Sequence, residues 1–129
     1  MTATDGTSTS RRTLGDFGER VAAAHLEAKG YRILETNFRV REGEIDIVAA
    51  KDDVVAFVEV KTRRGDAMGS AVESIGWRKA QRLLLAAEIY AERHKRLPPT
   101  RRIDLIAIAL DESGLVVSVE HIESAVEEG

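Results

Sequence analysis

The chain has 129 residues, enough for one domain with a substantial hydrophobic core and no covalent or metal staple. It contains no cysteine, which excludes thiol catalysis, cysteine zinc sites and disulfide frameworks, and which accords with a reducing compartment. The formal net charge is −3, yet six of the 22 acidic residues lie from Asp111 onward, where there is no Lys or Arg. The first 110 positions therefore hold all 19 basic residues against 16 acidic ones, a local excess that a phosphate-binding surface can draw on.

The opening stretch MTATDGTSTSRRT lacks the apolar core of a secretory signal, and no later apolar run reaches the roughly 20 residues of a membrane span. The expectation is a soluble cytoplasmic protein with no membrane partner. Residues 1–12, rich in Thr, Ser and Gly, read as a disordered N-terminal segment. From Leu14 to Lys29 the apolar positions Leu14, Phe17, Val21, Ala24 and Ala28 recur at helical spacing, and Gly30 supplies a stop. Glu19 lies on the other side of this helix with Ala22, Ala23 and Leu26, so that side also has the means to be covered.

Three strand-like segments follow, YRILETNFRV, GEIDIVAAK and VVAFVEVKTR, separated by charged or glycine-containing turns. TRRGDAMGS reads as a loop, and a second helical pattern runs from Ala71 to about His94 with Trp77, Ala80, Leu84, Ala87 and Ala91 on one stripe. Pro98 and Pro99 end that stretch. RRIDLIAIAL is nearly continuous hydrophobe, as in a strand covered on both faces, and GLVVSVEHI is a last strand before an acidic tail over 123–129. The order α-β-β-β-α-β-β predicts one α/β domain over 13–122, a mixed five-stranded sheet flanked by helices.

Strand alternation puts Val55, Phe57, Glu59 and Lys61 on one face of the third strand and Ala56, Val58 and Val60 on the other. On the preceding strand it groups Glu44, Asp46 and Val48. A hairpin turning symmetrically about Asp52 and Asp53 sets Asp46 opposite Glu59, and Glu44 opposite Lys61. Carboxylates paired across strands repel, so a positive charge is expected between them. Lys61 is one answer and a divalent cation with oxygen ligands is another. The plainer alternative is a solvated face on which Asp46, Glu59 and Lys61 form a surface ion cluster worth roughly 0–1 kcal/mol.

An acidic helix residue, then an Asp, then Glu-x-Lys on the next strand resembles the PD-(D/E)xK, or restriction-endonuclease-like, nuclease superfamily. More closely, GDFGERVAAAHLEAKGYRILETNFR, GEIDIVA, FVEVKTRRG and RRIDLIAI are similar to the small bacterial YraN-like proteins, regarded as relatives of archaeal Holliday-junction resolvases. The resemblance implies a restriction-endonuclease-like core and a Mg²⁺- or Mn²⁺-dependent DNA endonuclease, with branched or damaged DNA as the substrate class and a homodimer as the assembly. It implies that Asp46, Glu59 and Glu19 are metal ligands and that Lys61 is the catalytic lysine. Ile45 stands where the superfamily pattern has proline.

Arg63, Arg64, Arg78, Lys79 and Arg82 are the candidate phosphate contacts, Arg78 and Arg82 sharing a helix face, with a solvated basic face as the plainer account. The motif EIDIVA has an echo in RIDLIA. No Glu-x-Lys follows Asp104, which therefore reads as a structural carboxylate paired with Arg101, Arg102 or another arginine, an outer position in the site being its alternative role. His25, His94 and His121 are poor ligand candidates. Two functions compete with the nuclease reading: a nucleic-acid-binding module that keeps the fold without cleaving, and an interaction protein using its acidic tail.

Overall fold

The structure, a computed structural model, describes residues 6–65 and 75–127. Within them are α1 (Gly6–Ala28), β1 (Arg32–Val40), β2 (Gly43–Lys51), β3 (Val54–Arg64), α2 (Trp77–Arg93), β4 (Thr100–Leu110) and β5 (Val116–Val126). The strands form one mixed sheet in the order β1-β2-β3-β4-β5, antiparallel except for the parallel β3–β4 pair. That pair needs a crossover, which α2 provides. The α/β class, the five strands and the element order match the sequence reading.

Strand limits also match the sequence closely, because β-branched runs are punctuated where turns are needed. The β2–β3 hairpin closes through a two-residue turn, with Lys51 paired to Val54 and Asp52 at φ 54°, a left-handed conformation that Asp tolerates. At the end of α1, Gly30 takes φ 98°, its N–H reaches Glu27 O, and Tyr31 N–H reaches Leu26 O, both at 3.0 Å. This is a Schellman stop with Leu26 and Tyr31 as its apolar contact in the core.

Other limits shift. α1 begins at Gly6, ahead of Leu14 and inside the segment expected to be disordered, and β5 continues to Val126 through the start of the expected tail. Thr62, Arg63 and Arg64, read as the start of the loop TRRGDAMGS, belong to β3, and α2 begins at Trp77, so Ile75 and Gly76, expected in the helix, are not helical. The expected loop and helix residues over 66–74, residues 1–5 and the tail's last two residues lie outside the described residues.

One core layer lies between the sheet and α1, joining Ala22 and Leu26 to Ile47, Ala49, Ala56, Val58, Ile106 and Ile108. The other lies under α2, joining Leu83, Ala86, Ala87 and Tyr90 to Val48, Val55, Phe57 and Ile103. The third strand therefore alternates as expected. Both helices, however, are turned from the stripe read off the sequence: Leu14, Phe17, Val21 and Leu84 are only partly buried against the core, and of the expected positions Ala87 alone is buried. On α1, Ala22 and Leu26 are fully buried while Ala24 and Ala28 are exposed; on α2, Trp77 is exposed and Leu83, Ala86 and Tyr90 face the sheet. Each helix carries enough alanine and leucine for two overlapping apolar stripes, and packing selects the one that reaches the sheet.

α2 approaches the start of β2 very closely, because Gly43 has no side chain. A Cβ there would collide with the backbone carbonyl of Arg82, which has no rotamer with which to yield. Gly43→Ala should therefore destabilise the fold by about 1–3 kcal/mol, read as a lower urea midpoint at unchanged m-value. A midpoint equal to that of the native chain would show that α2 is not pinned at this contact.

Candidate functional site

The expected register between β2 and β3 holds for five pairs, from Lys51–Val54 to Ile47–Val58, and the paired residues then end. Asp46, next in line, does not sit in a ladder opposite Glu59. Its Oδ2 accepts a hydrogen bond from Val60 N–H at 2.8 Å, so a side chain takes the place of a strand partner where the two strands part.

The face assignment on β2 needs the same correction. Ile45 packs with Val48 under α2 while Ile47 packs under α1, so strict alternation is interrupted at Asp46. Asn37, on β1 between the residues paired to Ile45 and Ile47, has φ 57° and interrupts its strand at the same level. Glu44 is not opposite Lys61. It pairs with Arg39 of β1, at 3.8 Å.

A cleft of about 300 Å³ opens at this fork, with Glu19, Glu44, Asp46, Glu59, Lys61 and Lys79 among its lining residues. The four residues assigned to the chemistry thus meet, although they come from α1, β2 and β3. Glu19 is held by Asn37, whose Nδ2 donates to Oε1 at 2.9 Å. It reaches the cleft because α1 lies against β3 at Gly18, where a Cβ would collide with Thr62 Oγ1.

The carboxylates are crowded. Burial first, and then the charge of Glu59, push the Asp46 carboxyl up to about 7, against the pull of the Val60 N–H. Glu59 is 4% exposed, and the Lys79 ammonium lies 2.6 Å from its Oε2. Lys79, read as a phosphate contact in the sequence, is thus turned into the cleft, and among the described residues the salt-bridge partners of Glu44 and Glu59 are Arg39 and Lys79 rather than Lys61. Burial and the neighbouring Lys79 charge hold Lys61 below the ordinary lysine range, while Lys79 is raised despite its own burial by its hydrogen bond to Glu59. Of the two amines, Lys61 is thus the less strongly protonated.

Among the described residues no group of three or more His, Asp or Glu side chains is arranged to enclose a metal ion. The donor set nonetheless suits a hard divalent cation that keeps most of its waters, since two carboxylates together with substrate oxygens are what Mg²⁺ commonly takes. Asp46 and Glu59 supply that pair, and Glu19 stands in the same cleft with its Oε1 held by Asn37.

The expected basic residues divide. Arg63 lies beside Lys61 and helps to depress it, and Arg64 is exposed at the end of β3. Arg78 and Arg82 line a neighbouring groove of about 380 Å³, whose wall shares Glu44 and Lys79 with the cleft. A still larger concavity, about 510 Å³, lies between α2 and the β4–β5 pair, but none of the assigned site residues lines it.

Asp104 is structural, as its sequence context suggested. It is fully buried and is held by Arg102, with Nε to Oδ1 at 3.0 Å and Nη2 to Oδ2 at 2.8 Å. The sequence reading missed two further partners, the His121 ring at 2.8 Å and the Ser124 N–H at 3.0 Å. Pairing of β4 with β5 brings them across, and only the register could have shown that. No helix among the described residues is long and apolar enough to cross a membrane.

The chain matches the model of the uncharacterised protein family UPF0102 over residues 18–108, a span that includes every assigned site residue. It is 47% identical over 123 residues to a UPF0102 protein of Roseiflexus castenholzii, covering 93% of this chain and 98% of that one. It is 44% identical over 116 residues to one of Pelotomaculum thermopropionicum, covering 90% and 97%. A UPF0102 protein of Alkaliphilus metalliredigens is 43% identical over 99 residues, covering 77% and 87%. The fork between β2 and β3, with the helix that completes it, is therefore a feature of a chain that belongs to the UPF0102 family.

Proposed function

We propose that this chain is a metal-dependent endonuclease of the PD-(D/E)xK superfamily that hydrolyses phosphodiester bonds in DNA. The observation that carries the reading is the convergence of Asp46, Glu59 and Lys61 where β2 and β3 part, with Glu19 reaching the same cleft from α1. A restriction-endonuclease-like core accords with the α-β-β-β-α-β-β order.

Each residue has a role that its surroundings favour. Asp46 and Glu59 would hold Mg²⁺ or Mn²⁺, which supplies a more acidic water and neutralises charge developing on the phosphoryl oxygens. Lys61, depressed by burial and by Lys79, takes the proton of the water that attacks phosphorus as the bond to the departing sugar oxygen breaks. Lys79 anchors Glu59, a contact it would give up to a cation held by that carboxylate. Arg63, Arg64, Arg78 and Arg82 lie outside the carboxylate pair and contribute phosphate contacts whose number sets the salt dependence of binding. A homodimer follows if both strands of a branched substrate are cut.

The test is cleavage of linear, flapped and four-way DNA in Mg²⁺, in Mn²⁺ and in EDTA, beside Lys61→Ala. Cleavage should require the divalent ion and be lost in the lysine variant. Activity that survives in EDTA or in Lys61→Ala would place the chemistry elsewhere. Tight DNA binding without cleavage in either metal would favour a non-cleaving accessory module, consistent with Lys79 already balancing Glu59.

A further inference from the structure

We propose that Asn37 is a positioning residue that holds Glu19 for the cation, so that an amide on the edge strand sets how the helix carboxylate meets the metal. The inference rests on the metal-dependent nuclease reading and adds to it a residue outside the carboxylate and lysine set. Asn37 Nδ2 donates to Glu19 Oε1 at 2.9 Å, joining β1 to α1 across 18 positions of chain. It does so from a backbone φ of 57°, a left-handed conformation that is costly for most side chains and that asparagine tolerates.

The position is as specific as the bond. Thr36 pairs with Ile47 and Phe38 with Ile45, which leaves Asn37 level with Asp46. Ile47 packs under α1, while Ile45 and Phe38 pack under α2, so the strand pair turns over at this level. There the Asn37 side chain reaches α1, and the Asp46 side chain takes the Val60 N–H of β3. The two carboxylates belong to one site, since the Glu19 charge is among those that raise the Asp46 carboxyl.

The residue type meets both demands together. Glycine takes a positive φ but carries no donor, and aspartate takes it but would face Glu19 with a second carboxylate. A lysine would donate, but it would also cancel charge that a cation needs, as the Lys79 ammonium does at Glu59. An amide holds a carboxylate without neutralising it. With Oε1 engaged, Glu19 offers a cation, or a water on it, one oxygen rather than two. Edge strands are also made irregular merely to discourage pairing with another chain. That purpose needs the left-handed residue, but not an amide bonded to a helix carboxylate.

The experiment is Mn²⁺ binding to the whole chain, read from the electron paramagnetic resonance signal of the free ion, beside urea unfolding in EDTA. Asn37→Gly keeps the backbone conformation accessible and removes the amide. It should weaken Mn²⁺ binding about 10- to 100-fold, the usual effect of removing a group that orients a ligand. In a Glu19→Ala background the same substitution should change the affinity by less than about twofold, because the carboxylate it acts on is gone. Asn37→Ala, whose Cβ opposes the left-handed conformation, should lose the same affinity and also lower the urea midpoint.

Unchanged affinity in Asn37→Gly, or an equal loss in both backgrounds, would overturn the inference, the second result showing that Asn37 acts through the shape of the strand edge alone. If Asn37→Gly itself loosens that edge, the comparison still decides, since general loosening weakens binding with or without Glu19. Native cleavage of DNA together with Mn²⁺ affinity indifferent to Asn37→Gly would remove the positioning role and leave the nuclease reading. Loss of Mn²⁺ binding that requires Glu19, in a protein that cuts no DNA, would remove the nuclease reading alone. A native chain that binds no Mn²⁺ would overturn both.

Discussion

Asp46→Asn should make the metal-free protein more stable, by about 2–4 kcal/mol above pH 7, while lowering metal-dependent cleavage on the order of 10²- to 10³-fold. The stability gain follows from the Asp46 carboxyl standing at about 7 in the folded chain, against about 3.9 for an unperturbed aspartate. The folded state then holds its proton more tightly than the unfolded state. Between about pH 4 and pH 7 the folded chain binds more protons, so stability present at low pH is lost as pH rises through that window.

Asparagine carries no charge to repel Glu59, keeps an oxygen for the Val60 N–H, and removes the slope. Thermal melts in EDTA across pH 5–9 would measure this. A variant no more stable than the native chain above pH 7 would mean that the carboxylates are not crowded, and would take with it the reason for placing a cation there. Gain of stability with loss of activity is the pattern expected of a group retained for chemistry.

That pair of carboxylates was legible in the sequence because hairpin register is simple arithmetic once a two-residue turn is assumed, and Asp52 does adopt the left-handed conformation the turn needs. The strand limits were legible for a related reason, since β-branched runs and turn residues are local signals. What could not be read was where regular pairing stops. The break at Asp46 lies level with Asn37 in the neighbouring strand, and it turns two directly opposed carboxylates into one that fills a gap and one that meets Lys79.

Lys79 shows the same limit in the helices. It is grouped in the sequence with Arg78 and Arg82 as a candidate phosphate contact, but the buried stripe on α2 is the one containing Leu83, Ala86 and Tyr90, and Lys79, four residues before Leu83, leans with that stripe towards the cleft. Two overlapping apolar stripes leave a helix's rotation undetermined until the sheet beneath it is known. The same rotation leaves Trp77 in water, contrary to its place on the expected stripe.

Asp104→Ala should act in the opposite direction and cost about 3–5 kcal/mol, the expected effect of removing one partner from a buried charged network. Arg102 donates to both of its oxygens, and Arg102 Nη2 also reaches Tyr31 Oη at 2.6 Å. The Ser124 N–H, at a residue with φ 54°, is held by Oδ1, which ties the edge strand β5 to β4. Lys29 Nζ donates to His121 Nδ1 at 2.6 Å, leaving the Nε2–H to donate to Asp104. Alanine would leave an arginine and a histidine without their acceptor beneath a strand that has lost its anchor.

Burial alone would raise the Asp104 carboxyl, but the bonds from His121, Arg102 and the Ser124 N–H outweigh it and hold the group below the ordinary carboxylate range. Its contribution is therefore present at neutral pH and lost as pH falls below about 4. Urea unfolding of Asp104→Ala and Asp104→Asn against pH measures both effects. The alanine variant should lose stability at pH 7 and show a shallower acid limb than the native chain, and asparagine, which keeps an acceptor without the charge, should fall between. A cost below about 1 kcal/mol for alanine would show that β5 is held by its ladder alone. Two aspartates in near-identical sequence, EIDIVA and RIDLIA, thus carry opposite expected signs, because one faces another carboxylate where strands part and the other is enclosed by donors from its own strand and from β5.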